Sequence, residues 1–187
     1  MSTLLPALSS VLFLLLLLAH ARTTAASTLE DTCKRYAGGD QAGPSYDYCI
    51  KTLGDDPVSA SADALGLAAH ATTNARSAAM ATGARIARLL QAGERVPARR
   101  DCLRKCVAEY DATVRRLTLA ARDARIGGGD ELSEAQRLLS EALGASLRCD
   151  KAFADAGQMS PLSMADRQVD EAVELALSIL PIPPATN

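Results

Sequence analysis

Leu103, Val107, Tyr110, Val114, Leu117, Ala121 and Ala124 recur at alternating spacings of four and three residues. That rhythm follows the α-helical turn and draws one apolar stripe down a helix, which must then be covered by other helices. The same rhythm returns at Leu132, Ala135, Leu139, Ala142, Ser146, Cys149 and Phe153, and again at Val169, Val173, Ala176 and Leu180. Composition agrees: alanine, leucine and arginine dominate, with 4 Tyr, 2 Phe and no Trp. Such usage favours helices over a sheet sandwich and leaves few aromatic faces for binding sugars. An all-α four-helix bundle follows, and its alanine-rich seams favour close helix approach.

Helix punctuation divides the chain further. Ser27 with Glu30 reads as a capping box opening a short helix that Gly38-Gly39 ends, and a second short helix fits Tyr46 to Leu53, capped by Ser45 and stopped by Gly54. These two form a hairpin. Long helices are then expected over about 62–92, 98–126 and 131–156, the last of these capped by Asp130. A final helix begins at Ser163 with Asp166 and ends at Pro181. Gly66, Gly83 and Gly144 weaken their helices locally or allow close packing.

The start of the chain reads as an address. Val11 to Ala19 is an unbroken apolar run, too short to span a bilayer, and small residues follow at Ala19, Ala21, Ala25 and Ala26. A signal peptide over 1–26 is therefore expected to be cleaved. The mature product, 27–187, would be secreted and free of a membrane anchor, with a hairpin at 27–57 and a bundle at 58–181. About 160 residues suffice for one domain with a sizeable core.

Secretion permits disulfides, and the 5 cysteines are read in that light. A bond from Cys33 to Cys49 would tie the short helices together, and a bond from Cys106 to Cys149 would link the helices with the clearest seams. Loop-closure entropy puts these at roughly 3 and 4 kcal/mol. Cys102 lies one helical turn before Cys106, so spacing alone leaves open which of the two bonds Cys149. No CxxC pair occurs and His70 is the sole histidine after the leader, so no metal site is expected.

Charge is uneven along the chain. From Arg76 to Arg125 there are 12 Lys+Arg against 5 Asp+Glu, while the segments on either side are acidic. Arg99, Arg100, Arg104, Lys105, Arg115 and Arg116 are the candidate partner-binding residues, suited to an acidic cleft; the competing reading is a solvated face. Nucleic acid is disfavoured by the net charge of -2 and the lack of interleaved aromatics. His70 has no nucleophile motif beside it, Asp55-Asp56 reads as a turn, and no GxSxG, HExxH or phosphate loop occurs. No catalytic residue and no cofactor are expected.

The Thr-Cys-Lys start, Tyr-Asp-Tyr-Cys-Ile-Lys-Thr-Leu-Gly at 46–54, Leu-x-x-Cys-x-x-x-Tyr-x-x-Ala at 103–112, and Ser140 to Cys149 followed by Phe153 together resemble the plant invertase and pectin methylesterase inhibitor family. The resemblance covers essentially the whole mature chain. It implies a helical hairpin ahead of a four-helix up-and-down bundle, and disulfides Cys33–Cys49 and Cys106–Cys149. The family's cysteine stands three residues after a leucine and four before a tyrosine; Cys106 fits and Cys102 does not, which leaves Cys102 as the free thiol. It further implies a one-to-one inhibitor of pectin methylesterase, or of cell-wall or vacuolar acid invertase, acting in the cell wall or vacuole by blocking access. Invertase-directed members carry a short Pro-Lys-Phe segment where this chain reads Glu131-Leu132-Ser133, which favours pectin methylesterase. The hairpin and its Tyr-Asp-Tyr-Cys stretch are also similar to pollen proteins named as invertase inhibitors, which pulls the other way. A secreted structural bundle with no enzyme target is the alternative of another class.

Overall fold

The computed structural model describes residues 28–57 and 59–182, so the expected leader and the Ser27 cap lie outside the described residues. Among the described residues every regular element is helical, as the periodicity and the family resemblance lead one to expect. Two compact units are distinguished, one ending at Leu67 and the other beginning at Ala68.

The first unit holds α1 (28–36) and α2 (Pro44–Gly54), then a 3₁₀ turn at Ser59–Ser61 and the first turn of α3. The chain leaves α1 through Gly38 and Gly39, whose φ values of 66° and 97° lie in the left-handed region that side chains avoid. The Gly39 amide closes the turn on the Lys34 carbonyl at 2.8 Å. Helix α2 begins at Pro44, two residues before the expected start, with Gly43 as N-cap and no side-chain cap. Proline suits this first position because its missing N–H would be unpaired there anyway; Ser45 therefore lies inside the helix. Cys33 and Cys49, both fully buried, are bonded across the hairpin with their Cα atoms 5.5 Å apart.

In the second unit the remainder of α3 (Ala64–Gln91) is followed by α4 (Pro97–Ile126), α5 (Gly129–Leu143), α6 (Ala145–Asp155) and α7 (Ser163–Ile179). Helix α4 packs along α5 and α6, and α7 packs against both. The stripe on α3 is made mostly of small residues, with Ala68, Ala71, Ala75, Ala79, Thr82 and Ile86 buried at helical spacing. Its buried threonines turn their hydroxyls onto the helix itself, Thr72 to Ala68 O at 2.8 Å and Thr82 to Ala78 O at 3.1 Å, so no polar group is stranded there. In α4, Leu103, Tyr110, Leu117, Ala121 and Ala124 are buried, with Cys106, Thr113 and Ala120 widening the stripe. Leu117 and Leu139 reach zero exposure, each contributing about 1.5–3 kcal/mol by burial.

The helix expected over 131–156 is divided. It breaks at Gly144, whose φ of -82° and ψ of 0° leave the helical region. The guanidinium of Arg148 folds back and donates to the Glu141 carbonyl at 3.2 Å, serving an acceptor that the break exposes. Phase survives the break, because Ala142, Ser146, Cys149 and Phe153 all remain buried. Cys149 on α6 is therefore brought to Cys106 on α4, with Cα atoms 5.0 Å apart. Beside this bridge Arg148 pairs with Glu109 at 2.7 Å.

Two other expected caps are replaced. Helix α5 starts behind Gly128 without a side-chain cap, so Asp130 sits in its first turn, where a negative charge favours the helix dipole. Helix α7 starts behind Leu162, and Asp166 does not close a box with Ser163: its carboxylate turns into the bundle and accepts a hydrogen bond from the Tyr110 hydroxyl. A buried phenol needs a partner, and that demand outweighs the cap.

Candidate partner-binding face

Helices α3 and α4 lie antiparallel, and their shared outer surface carries two shallow depressions. One, of about 350 Å³, is walled by Arg76 on α3 and by Arg122 and Arg125 on α4, with Thr73, Thr118 and Ile126 between them. The other, of about 530 Å³, is lined by Met80, Gly83, Ala84 and Ala87 on α3 and by Tyr110, Asp111, Val114 and Arg115 on α4. Met80 and Ile126 are 52% and 58% exposed, so the face mixes charge with open apolar surface.

The six basic residues singled out from sequence do not form one patch. Arg100 donates to the Glu94 carbonyl from Nε at 3.1 Å and from Nη2 at 2.6 Å, and Arg99 pairs with the Glu94 carboxylate at 3.5 Å. Glu94 also accepts from the Val96 amide at 3.0 Å; this bond first, then Arg99, holds its carboxyl below the ordinary range. Both arginines are thus engaged in closing the α3–α4 turn. Arg104 is paired with Asp101 at 3.0 Å on the open surface, a contact of little net energy. Arg116 points the other way, to Glu141 on α5 at 3.0 Å, in a network with Arg137 and Glu134.

Lys105 and Arg115 are exposed, and only Arg115 reaches the α3–α4 face. Arg115 is joined there by Arg76, Arg122 and Arg125, which sequence reasoning counted within the basic segment without singling them out. A signal for Arg122 was present: it follows Arg115 by seven residues, which returns to one side of a helix. Of this group Arg122 has an internal counterion, the buried Asp123, at 2.8 Å.

Cys102 is buried and free, its thiol directed to the Ala152 carbonyl at 3.2 Å. Among the described residues no group of acidic, histidine or cysteine side chains could hold a metal ion, and no helix is long and apolar enough to cross a membrane.

A helical hairpin and a four-helix bundle, each closed by its own disulfide, define a small disulfide-clasped all-helical protein. Residues 24–179 match the plant invertase/pectin methylesterase inhibitor family, and the chain belongs to that family. Among its relatives is a protein of Platanus acerifolia named "Putative invertase inhibitor", 28% identical over 172 residues that span 90% of this chain and 92% of the relative. A protein of the same name from Platanus orientalis is 29% identical over 157 residues, 82% of this chain and 88% of its own.

Proposed function

We propose that this chain is a secreted protein inhibitor of pectin methylesterase, binding one-to-one and blocking the approach of pectin to the enzyme's cleft in the plant cell wall, with residues 27–187 as its mature domain. The observation that carries this reading is the α3–α4 face. There Arg76, Arg115 and Arg125 stand exposed or half-exposed beside Met80 and small side chains, on helices whose geometry is held by buried seams. A rigid basic face of this kind suits an acidic cleft and speeds encounter with it. It acts by contact, with no chemistry of its own.

Family membership supports inhibition of an enzyme of this group, and the Glu131-Leu132-Ser133 segment inclines the choice to pectin methylesterase. These residues form the first turn of α5, where Leu132 is 4% exposed and Ser133 Oγ donates to the Gly129 carbonyl at 2.8 Å. That turn is occupied by packing and by a hydroxyl turned back onto its own helix, which suits a support better than a projecting loop. A second reading, inhibition of acid invertase, is favoured by the names of the two Platanus relatives.

Titrating the purified oxidised protein against pectin methylesterase and against acid invertase, at wall-like acidic pH, tests both. Loss of pectin methylesterase activity at an equimolar ratio is the expected result. Loss of invertase activity alone would transfer the assignment, and no loss in either would leave a structural bundle without an enzyme target.

A further inference from the structure

Helices α6 and α7 meet at a cluster of carboxyl groups that the inhibitory reading does not use. Asp166 is 2% exposed; its Oδ1 accepts from Tyr110 on α4, while its Oδ2 is sealed from solvent with no donor. Asp150 on α6 lies within hydrogen-bonding reach of Asp166, and its Oδ1 is likewise sealed without a donor. One turn along α7, Asp170 accepts from Ser146 Oγ at 2.6 Å, and Glu171 and Glu174 add negative charge beyond it.

Among the described residues no ion pair reaches Asp150, Asp166 or Asp170, and Arg167, beside Asp166 on α7, is exposed. The basic residues of α6 are engaged elsewhere, Arg148 with Glu109 on α4 and Lys151 with Asp155 at 2.8 Å. On α5, which also packs against α7, Arg137 is paired with Glu134 and Glu141. What α4 offers is the neutral hydroxyl of Tyr110. Two ionised carboxylates meeting out of water would repel strongly, and each would keep an unpaired oxygen. One proton removes both costs, turning a contact between two acceptors into a short charge-assisted hydrogen bond.

We propose that Asp150 and Asp166 form a proton-binding site, in which a single shared proton clasps α6 to α7 and whose emptying as pH rises loosens α7 from the bundle. The proton resides on Asp166 Oδ2 and is donated to Asp150 Oδ1, leaving Asp166 Oδ1 free to accept from Tyr110. Burial pushes the Asp166 carboxyl up to about 7, with Asp150 and Asp170 adding to the rise and Tyr110 opposing it. Burial raises Asp170 as well, against the donation from Ser146. An aspartate in the unfolded chain titrates near 3.9. Between that pH and about 7 the folded protein therefore holds a proton that the unfolded chain has released, so stability is greatest in acid, falls across this window, and levels off above it.

The test follows the carboxyl carbons of the full-length oxidised protein by NMR from pH 3 to 9, together with urea unfolding of wild type, Asp166→Asn and Asp150→Asn. One aspartate carboxyl should titrate above pH 6, and the wild-type unfolding constant should grow at least about tenfold between pH 5 and 7.5. Asp166→Asn, whose amide donates permanently to Asp150, should flatten that dependence, and Asp150→Asn should lower the titration midpoint of Asp166. If every aspartate titrates below about pH 5, or if Asp166→Asn keeps the wild-type slope, there is no shared proton. The NMR titration of wild type decides the matter by itself if a variant does not fold.

Discussion

The thiol of Cys102 lies 3.2 Å from the carbonyl oxygen of Ala152, one turn of α4 away from the cysteine that bonds α6. Helical phase thus directs two cysteines of one helix toward the same neighbour, and only Cys106 meets a sulfur. Peptide mapping without reduction should recover Cys33 linked to Cys49 and Cys106 linked to Cys149, with Cys102 alkylated only after unfolding. Cys102→Ser keeps a donor for Ala152 and should lower stability by no more than about 1 kcal/mol in urea titration.

The two bridges close loops spanning 16 and 43 residues. Loop-closure entropy assigns them roughly 3 and 4 kcal/mol. Replacing Cys106 and Cys149 together by alanine should lower the urea midpoint more than the same change at Cys33 and Cys49. Equal losses would point to enthalpic contributions specific to each site.

Tyr110→Phe removes the donor to Asp166 Oδ1 and leaves that oxygen buried without a partner. The expected cost is about 1–3 kcal/mol at neutral pH. Since the Tyr110 bond lowers the Asp166 titration, its loss should also move the pH window of stability upward. A melting series at pH 5, 6, 7 and 8 reads both effects. The span from an ordinary aspartate value to about 7 bounds the proton linkage in wild type at about 4 kcal/mol.

On the α3–α4 face, Arg76→Glu and Arg115→Glu should slow association with the target enzyme about tenfold and reduce its salt dependence, with the melting temperature little changed. Arg100→Ala should do the reverse, because its guanidinium serves the Glu94 carbonyl in the turn. Stopped-flow binding at two ionic strengths separates the two classes.

Most of the architecture was legible in the residues, because seams such as Leu132 to Phe153 and stops such as Gly38-Gly39 act locally and independently of neighbours. Gly144 was flagged as a weak point, yet whether a helix yields there depends on Arg148 being free to fold back onto Glu141. Pro44 and Pro97 begin helices, where Ser45 taken as a cap and Pro97 taken as a stop put the starts two residues and one residue later. Asp166 looked like a cap because pattern reading cannot see the tyrosine on another helix that claims it. The six basic residues are dispersed for the same reason. Neighbours in sequence such as Arg115 and Arg116 point about 100° apart on a helix, and Arg99, Arg100 and Arg116 meet carbonyls or carboxylates that only the fold supplies.

Each disulfide is closed inside one compact unit, and the first has both its sulfurs in the first 49 residues. A chain made from its amino end will present Cys33 and Cys49 to each other long before any rival sulfur has been synthesised, so this bond forms without competition. The later bond must be chosen when Cys149 meets two sulfurs of α4, Cys102 and Cys106, that lie one helical turn apart. Its fidelity rests on α4 having wound into register before oxidation, which makes helix formation the proofreading step of covalent assembly.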